Sequence, residues 1–278
     1  MAIELGEYAL DVSILGDAVS VTLHHFGACT ICNLGYFDQA WAMINEGLSL
    51  AKKSKHPFTL GRANCATGTI HCYRKEYDLA VTLYDEVFSL AKEYDVGTWL
   101  DYAYVQRSVA VAFLTPTAQS LDQVRQCNQM LRVANVSLEL PMSLIWQAEI
   151  CGLVGQYTEG VKDIDEVLAL IEQTGERNWL SEAWRVKGEL LLKANGVSAQ
   201  VEAENCYQTA NTVAQQQSAK QFELRATTSL ARLWLQQGKA EAARERLAEI
   251  YGWFTEGFDT ADLQEAKALL EELTARQS

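Results

Sequence analysis

Seven side chains able to bind soft metals or change redox state fall within 49 residues near the start of the chain: His24, His25, Cys29, Cys32, Cys65, His71 and Cys72. Cys29-Thr30-Ile31-Cys32 is a Cys-x-x-Cys, and on a helix His25, Cys29 and Cys32 share a face, because spacings of four and three return to the same side. Thiolates beside an imidazole would suit zinc or copper(I). The competing reading makes these cysteines small hydrophobes in crowded helix contacts. It is preferred, because a Cys-x-x-Cys inside a helix lacks the turn that zinc ribbons use. No metal site and no cofactor is therefore assigned to His25, Cys29, Cys32, Cys65 and Cys72. His71 is expected to pack between helices with one hydrogen bond.

Other chemistry is not signalled. The sequence has no His-Glu-x-x-His, no Gly-x-Ser-x-Gly and no dinucleotide-binding glycine fingerprint. Acidic groups such as Asp163, Asp165 and Glu166 read as solvated helix faces. With a net charge of −13 and no local Lys/Arg stripe, the chain would repel phosphate backbones, so nucleic acid is not an expected partner. The first ten residues lack the basic start and apolar run of a signal peptide, and no stretch is apolar enough to span a membrane. Seven cysteines without a secretion signal read as reduced thiols, which points to the cytoplasm. An enzyme is not expected.

The elements that hold these residues follow from composition and from a repeat. Apolar residues make up 49% of the chain and prolines number three, which favours packed helix throughout. Small residues recur at Ala28, Gly68, Ser108, Ala148 and Gly188, each 40 apart, and then at Ala231. A second small column runs Ala40, Ala80, Ser120, Gly160, Ala203 and Ala243, and four residues later come Ile44, Tyr84, Val124, Ile164, Tyr207 and Leu247. Antiparallel helices approach closely where both carry small side chains, and a bulky residue one turn on fills the adjoining groove. The small-x₃-large spacing is that of the tetratricopeptide repeat. The fifth copy has three extra residues within Lys193–Gln200, around Asn195-Gly196.

The expected fold is therefore all-α: a right-handed tetratricopeptide-like solenoid of about six helix pairs plus a C-terminal capping helix, forming one domain over 1–278. The repeat units are about 17–56, 57–96, 97–138, 139–176, 177–218 and 219–258, with the cap at 259–277. First helices are placed at 17–34, 57–74, 97–114, 141–154, 177–193 and 219–237, with Pro57 at a helix start. Their partners are placed at 36–54, 76–94, 118–134, 157–173, 199–216 and 239–251. In the cap, Leu263, Ala266, Leu269, Leu270 and Leu273 face inward and acids face out. Stepping back one period makes Ile3–Ser13 the second helix of a preceding unit, so the chain is expected to end a longer array.

The tail Ile250–Leu273, with His56-Pro57-Phe58, Gly188-Glu189-Leu190-Leu191 and Leu224-Arg225-Ala226, resembles one bacterial group. The likeness is to the C-terminal tetratricopeptide region of large signalling proteins that join a class III adenylate/guanylate cyclase domain to a signal-transduction ATPase. It runs from about residue 20 to the end and is closest after Trp179. It implies a region that senses or binds partners and restrains an ATPase. No Gly-x-x-x-x-Gly-Lys-Ser/Thr loop is present, so the ATPase activity does not carry over.

In such arrays the first helices line the concave face. By repeat position that face should carry Tyr73, Tyr102, Phe113, Glu149, Arg185, Glu189, Arg225 and Arg232, beside Arg62 and the thiol cluster. Aromatic and Arg side chains are frequent interface anchors. The expected function is a protein-interaction or sensory module with a protein or peptide partner. The alternative is a receptor for a small metabolite or peptide held in the groove.

Overall fold

The structure is a computed structural model that describes residues 12–95, 99–133 and 140–276, with side chains from Val19 onward. Its helices alternate as pairs, α1 (Val12–Asn33) with α2 (Phe37–Ser54) and α3 (Pro57–Tyr73) with α4 (Tyr77–Tyr94), and α5 (Leu100–Leu114) is followed in sequence by α6 (Ala118–Val133). α7 (Leu140–Leu153) pairs with α8 (Tyr157–Thr174), α9 (Leu180–Asn195) with α10 (Gln200–Gln216), and α11 (Lys220–Gln236) with α12 (Ala240–Tyr251). A 3-10 turn, Gly196–Ala199, joins α9 to α10, and α13 (Ala261–Ala275) closes the series. Helix contacts divide into two compact units, Met1–Cys32 with Phe37–Ala110, and Asn33–Tyr36 with Val111–Ser278.

The two small columns and the large one explain the pairing. Gly160 approaches α7 so closely that an added Cβ would lie 3.0 Å from the Ala148 carbonyl oxygen and 3.1 Å from Cys151 Cβ. Ile44, Tyr84, Val124, Ile164, Tyr207 and Leu247 are all buried. Second helices bury a single stripe, as in α8, where Gly160, Ile164, Val167 and Ile171 recur at four, three and four. First helices in the middle of the array are covered on more than one side. α3 is buried at every position from Gly61 to Tyr73, and α7 from Leu140 to Ala148.

Turns follow the expected glycines, with Gly35, Gly155 and Gly238 at positive φ. The equivalent position between α3 and α4 is Lys75, at φ 64°. Pro57 opens α3 directly after His56. The third pair uses a reciprocal cap. The Ser120 amide donates to Thr117 Oγ1 at 3.1 Å while the Thr117 amide donates to Ser120 Oγ at 3.0 Å.

Neighbouring pairs are also joined by buried polar bonds. Ser143 Oγ on α7 donates to Asn128 Oδ1 on α6, and Asn128 Nδ2 donates to Gln147 Oε1 at 2.9 Å. Thr227 Oγ1 on α11 donates to Asn211 Oδ1 on α10 at 2.7 Å.

Two expectations need correction, and a third falls mostly outside the described residues. α1 begins at Val12, not 17, because Gly16 is carried inside the helix without a breaker beside it. In α13, Leu263, Ala266, Leu269 and Leu273 are buried, but Asp262 is buried with them because it serves an arginine of α11. The helix expected at Ile3–Ser13 lies outside the described residues up to Asp11, while Val12 and Ser13 belong to α1. No helix among the described residues is long and apolar enough to cross a membrane.

Candidate functional site

In the first compact unit the face of α1 and α3 centres on Arg62, which is 6% exposed. Its Nε donates to Thr22 Oγ1 at 3.3 Å and its Nη2 to His25 Nδ1 at 2.8 Å. The guanidinium stacks 5.1 Å from the Trp99 ring centre, and the Trp99 indole is fixed by donating to the Phe58 carbonyl at 3.0 Å. Among the described residues no carboxylate forms an ion pair with Arg62, although buried charges are ordinarily paired. Burial, and then the charge of Arg62, lower the His25 pKa from 6.5 to about 3, so the ring is neutral. With Nδ1 accepting from Arg62, the proton sits on Nε2, which is buried without a partner. The buried cation thus has neutral acceptors but no carboxylate among the described residues, and the buried His25 Nε2–H has no acceptor.

The neighbouring thiols serve packing. Burial pushes Cys29 and Cys72 up to about 12, so both are protonated at neutral pH. Cys32 and Cys65 are buried, and His25 Nδ1 is taken by Arg62. Among the described residues no three His, Cys, Asp or Glu side chains are placed to hold a metal ion. His71 lies edge-on to Trp41 and bonds Glu76 Oε2 through Nδ1 at 2.6 Å. Tyr73, placed by its repeat position on an open face, is buried, and burial raises its pKa well above the ordinary value. Tyr102 is half-buried, its hydroxyl 2.8 Å from Thr69 Oγ1.

In the second compact unit the first helices carry an ion network. Arg185 Nη2 meets Glu149 at 2.6 Å and Glu182 at 2.9 Å, and Nη1 meets Glu189 at 2.7 Å. Arg225 Nε meets Asp262 at 2.6 Å and its Nη1 reaches Glu182 at 3.3 Å. Burial works against the charge on Glu182 and Glu189, but Arg185 outweighs it and lowers both pKa values. For Glu149 burial wins, aided by Glu182 and Glu189, and its pKa is raised. Arg232 is exposed and pairs with Glu265. Phe113 is half-buried. Arg185, Arg225 and Arg232, all placed on an open face by repeat position, are each paired within the fold, to Glu149, Glu182 and Glu189, to Asp262 and Glu182, and to Glu265 respectively.

Sequence reasoning missed Glu182 and Asp262 as members of this network. The repeat marks other members: Glu149, Glu189 and Ser229 stand at 40-residue steps, and Ser229 Oγ donates to Glu189 Oε1 at 2.8 Å, whereas Glu182 and Asp262 lie outside that series.

No family model matches the chain, and no curated protein sequence matches it. Solved structures do. NprR in complex with its cognate peptide NprX aligns with a TM-score of 0.70 at 15% identity, over 98% of this chain and 75% of that one. A Rap protein complexed with competence and sporulation factor aligns with a TM-score of 0.71 at 15% identity, over 96% and 78%. The fold is a tetratricopeptide-type α-solenoid. A signal transduction ATPase with numerous domains from Pyrococcus horikoshii, which has a tetratricopeptide repeat sensor, aligns with a TM-score of 0.51 at 10% identity over 93% of this chain and 39% of that one.

Proposed function

We propose that this chain is a regulatory interaction module that binds a peptide or a segment of a partner protein through an acidic group received at Arg62. The observation that carries the reading is the buried guanidinium, held by Thr22, His25 and Trp99 and lacking a carboxylate among the described residues. Such a group costs free energy unless an anion meets it, and a carboxylate can take it in a charge-assisted bond. The unpartnered His25 Nε2–H is a second donor on the same helix face.

The setting proposed is a signalling protein of the cyclase and ATPase kind that the tail resembles. The likeness to NprR with its cognate peptide, to the Rap protein with competence and sporulation factor and to the Pyrococcus ATPase with its repeat sensor supports the peptide-binding and sensory part of the reading. Tyr102 keeps exposed surface in the same compact unit as Arg62, while Phe113, Glu149, Glu189 and Arg232 keep exposed surface within the second unit. Tyr73, Arg185 and Arg225 act by holding the helices that present them.

The test is fluorescence anisotropy against peptide pools with and without Asp and Glu. Acidic pools should bind, and Arg62→Gln should weaken them about ten-fold while the melting temperature stays close to that of the parent. Unchanged affinity in Arg62→Gln, or equal binding of pools without acids, rejects the reading.

A further inference from the structure

The three extra residues of the fifth helix pair open a cavity of about 520 Å³ between α9, the 3-10 turn, α10 and α11, within the second compact unit. That is within the range of about 300–1,000 Å³ usual for small-molecule sites. Its polar lining comes from Glu189, Lys193, Tyr207, Ser229 and Arg232 together with Gln200 and Gln236, and its apolar wall from Leu192, Val197 and Leu233.

Tyr207 is the informative group. It is 2% exposed, and its hydroxyl, which makes no side-chain hydrogen bond among the described residues, opens onto the cavity. At the same repeat position in the second pair, the Tyr84 hydroxyl lies 3.9 Å from Cys72 Sγ. The residue matching Cys72, four after the small-column glycine, is Leu192, which offers no polar atom. A buried phenol normally finds a partner. Here it lines the cavity.

The charged groups around it are also open. Glu189 uses Oε1 for both Arg185 and Ser229, and its Oε2 carries no bond among the described residues. Lys193 has no ion pair there and reaches only the Gly152 carbonyl, at 3.4 Å. Arg232 is held by Glu265 at an exposed position, where solvent competes for the pair. The cavity thus offers an open carboxylate oxygen, two cations, a phenol and an apolar wall.

We propose that this cavity binds an apolar α-amino acid as its zwitterion. Glu189 receives the ammonium group, Lys193 and Arg232 receive the carboxylate, and the Tyr207 hydroxyl bonds to the carboxylate. The side chain lies against Leu192, Val197 and Leu233. The site is separate from Arg62, so either can fail without the other.

Isothermal titration and melting of the full chain with leucine, valine, isoleucine and methionine test this. At least one should bind and raise the melting temperature. For that amino acid, the carboxamide and the analogue lacking the amino group should each bind about ten-fold more weakly. Tyr207→Phe, which removes one oxygen and keeps the ring, and Lys193→Gln should weaken binding about ten-fold with the unliganded melting temperature little changed. No binding by any of the four at millimolar concentration overturns the proposal. So does full affinity in both variants. An N-acetylated dipeptide that binds as tightly as the free amino acid also overturns it, because the ammonium would then play no part.

Discussion

Gly188 lies flat against the ring of Tyr207, so that a Cβ at position 188 would sit 2.7 Å from Tyr207 Cε1. Gly68 meets Tyr84 in the same way, 2.7 Å from Cζ. Alanine would gain about 1 kcal/mol of helix propensity at either site but must displace a buried ring. Gly188→Ala and Gly68→Ala should therefore each destabilise the fold, by about 1–2 kcal/mol net. Urea unfolding of the two variants measures this, and a gain in stability would mean that the rings move freely.

His25 should make stability depend on pH. Its folded pKa of about 3 lies below the unfolded value of 6.5, so the unfolded chain binds more protons between them. The contribution is whole above 6.5 and is lost as pH falls toward 3. Between about pH 7 and pH 5, where carboxylates stay largely ionised, unfolding free energy should drop by about 1–2 kcal/mol. His25→Asn, which keeps an acceptor for Arg62 but does not titrate, should flatten that slope in pH-dependent denaturation.

The ion network should be sensitive to loss of one member. Arg185→Met leaves Glu182, which is 2% exposed, with Arg225 alone and takes the cation from Glu149 and Glu189, and should cost about 3–5 kcal/mol. Arg232→Ala removes an exposed pair with Glu265 and should cost less than about 1 kcal/mol. Thermal melting of both variants side by side checks the contrast.

Lys55 sits between α2 and α3 at φ 56°, in the left-handed region, with an exposed side chain. Glycine takes that conformation without the Cβ penalty. Lys55→Gly should raise stability by about 0.5–1 kcal/mol, read as a higher melting temperature.

Much of the architecture was legible because it rests on positions that only small side chains can fill. Ala40, Ala80 and Ala203 recur for that steric reason, and each is buried. Lys75 was not legible as a turn residue, since nothing in a lysine marks positive φ. The faces were misjudged for a physical reason too. Repeat position says where a side chain points, but not whether the next pair covers it, and so Tyr73 and Arg185 are buried rather than open. The missing counter-ion of Arg62 could not be read from the sequence, because it is visible only once the acids have been assigned to other partners.

The hydrogen bonds from Asn128 to Ser143 and Gln147, and from Thr227 to Asn211, give the helix pairs an order. At the corresponding place on α8 the residue is Leu168, so the junction with α9 has no such bond to offer from that position. A chimera that set α7 after α8, or α11 after α4, would leave Ser143 or Thr227 facing a neighbour without the amide it needs. The pairs share one shape but are not interchangeable modules, and their sequence along the array is written in these few polar side chains.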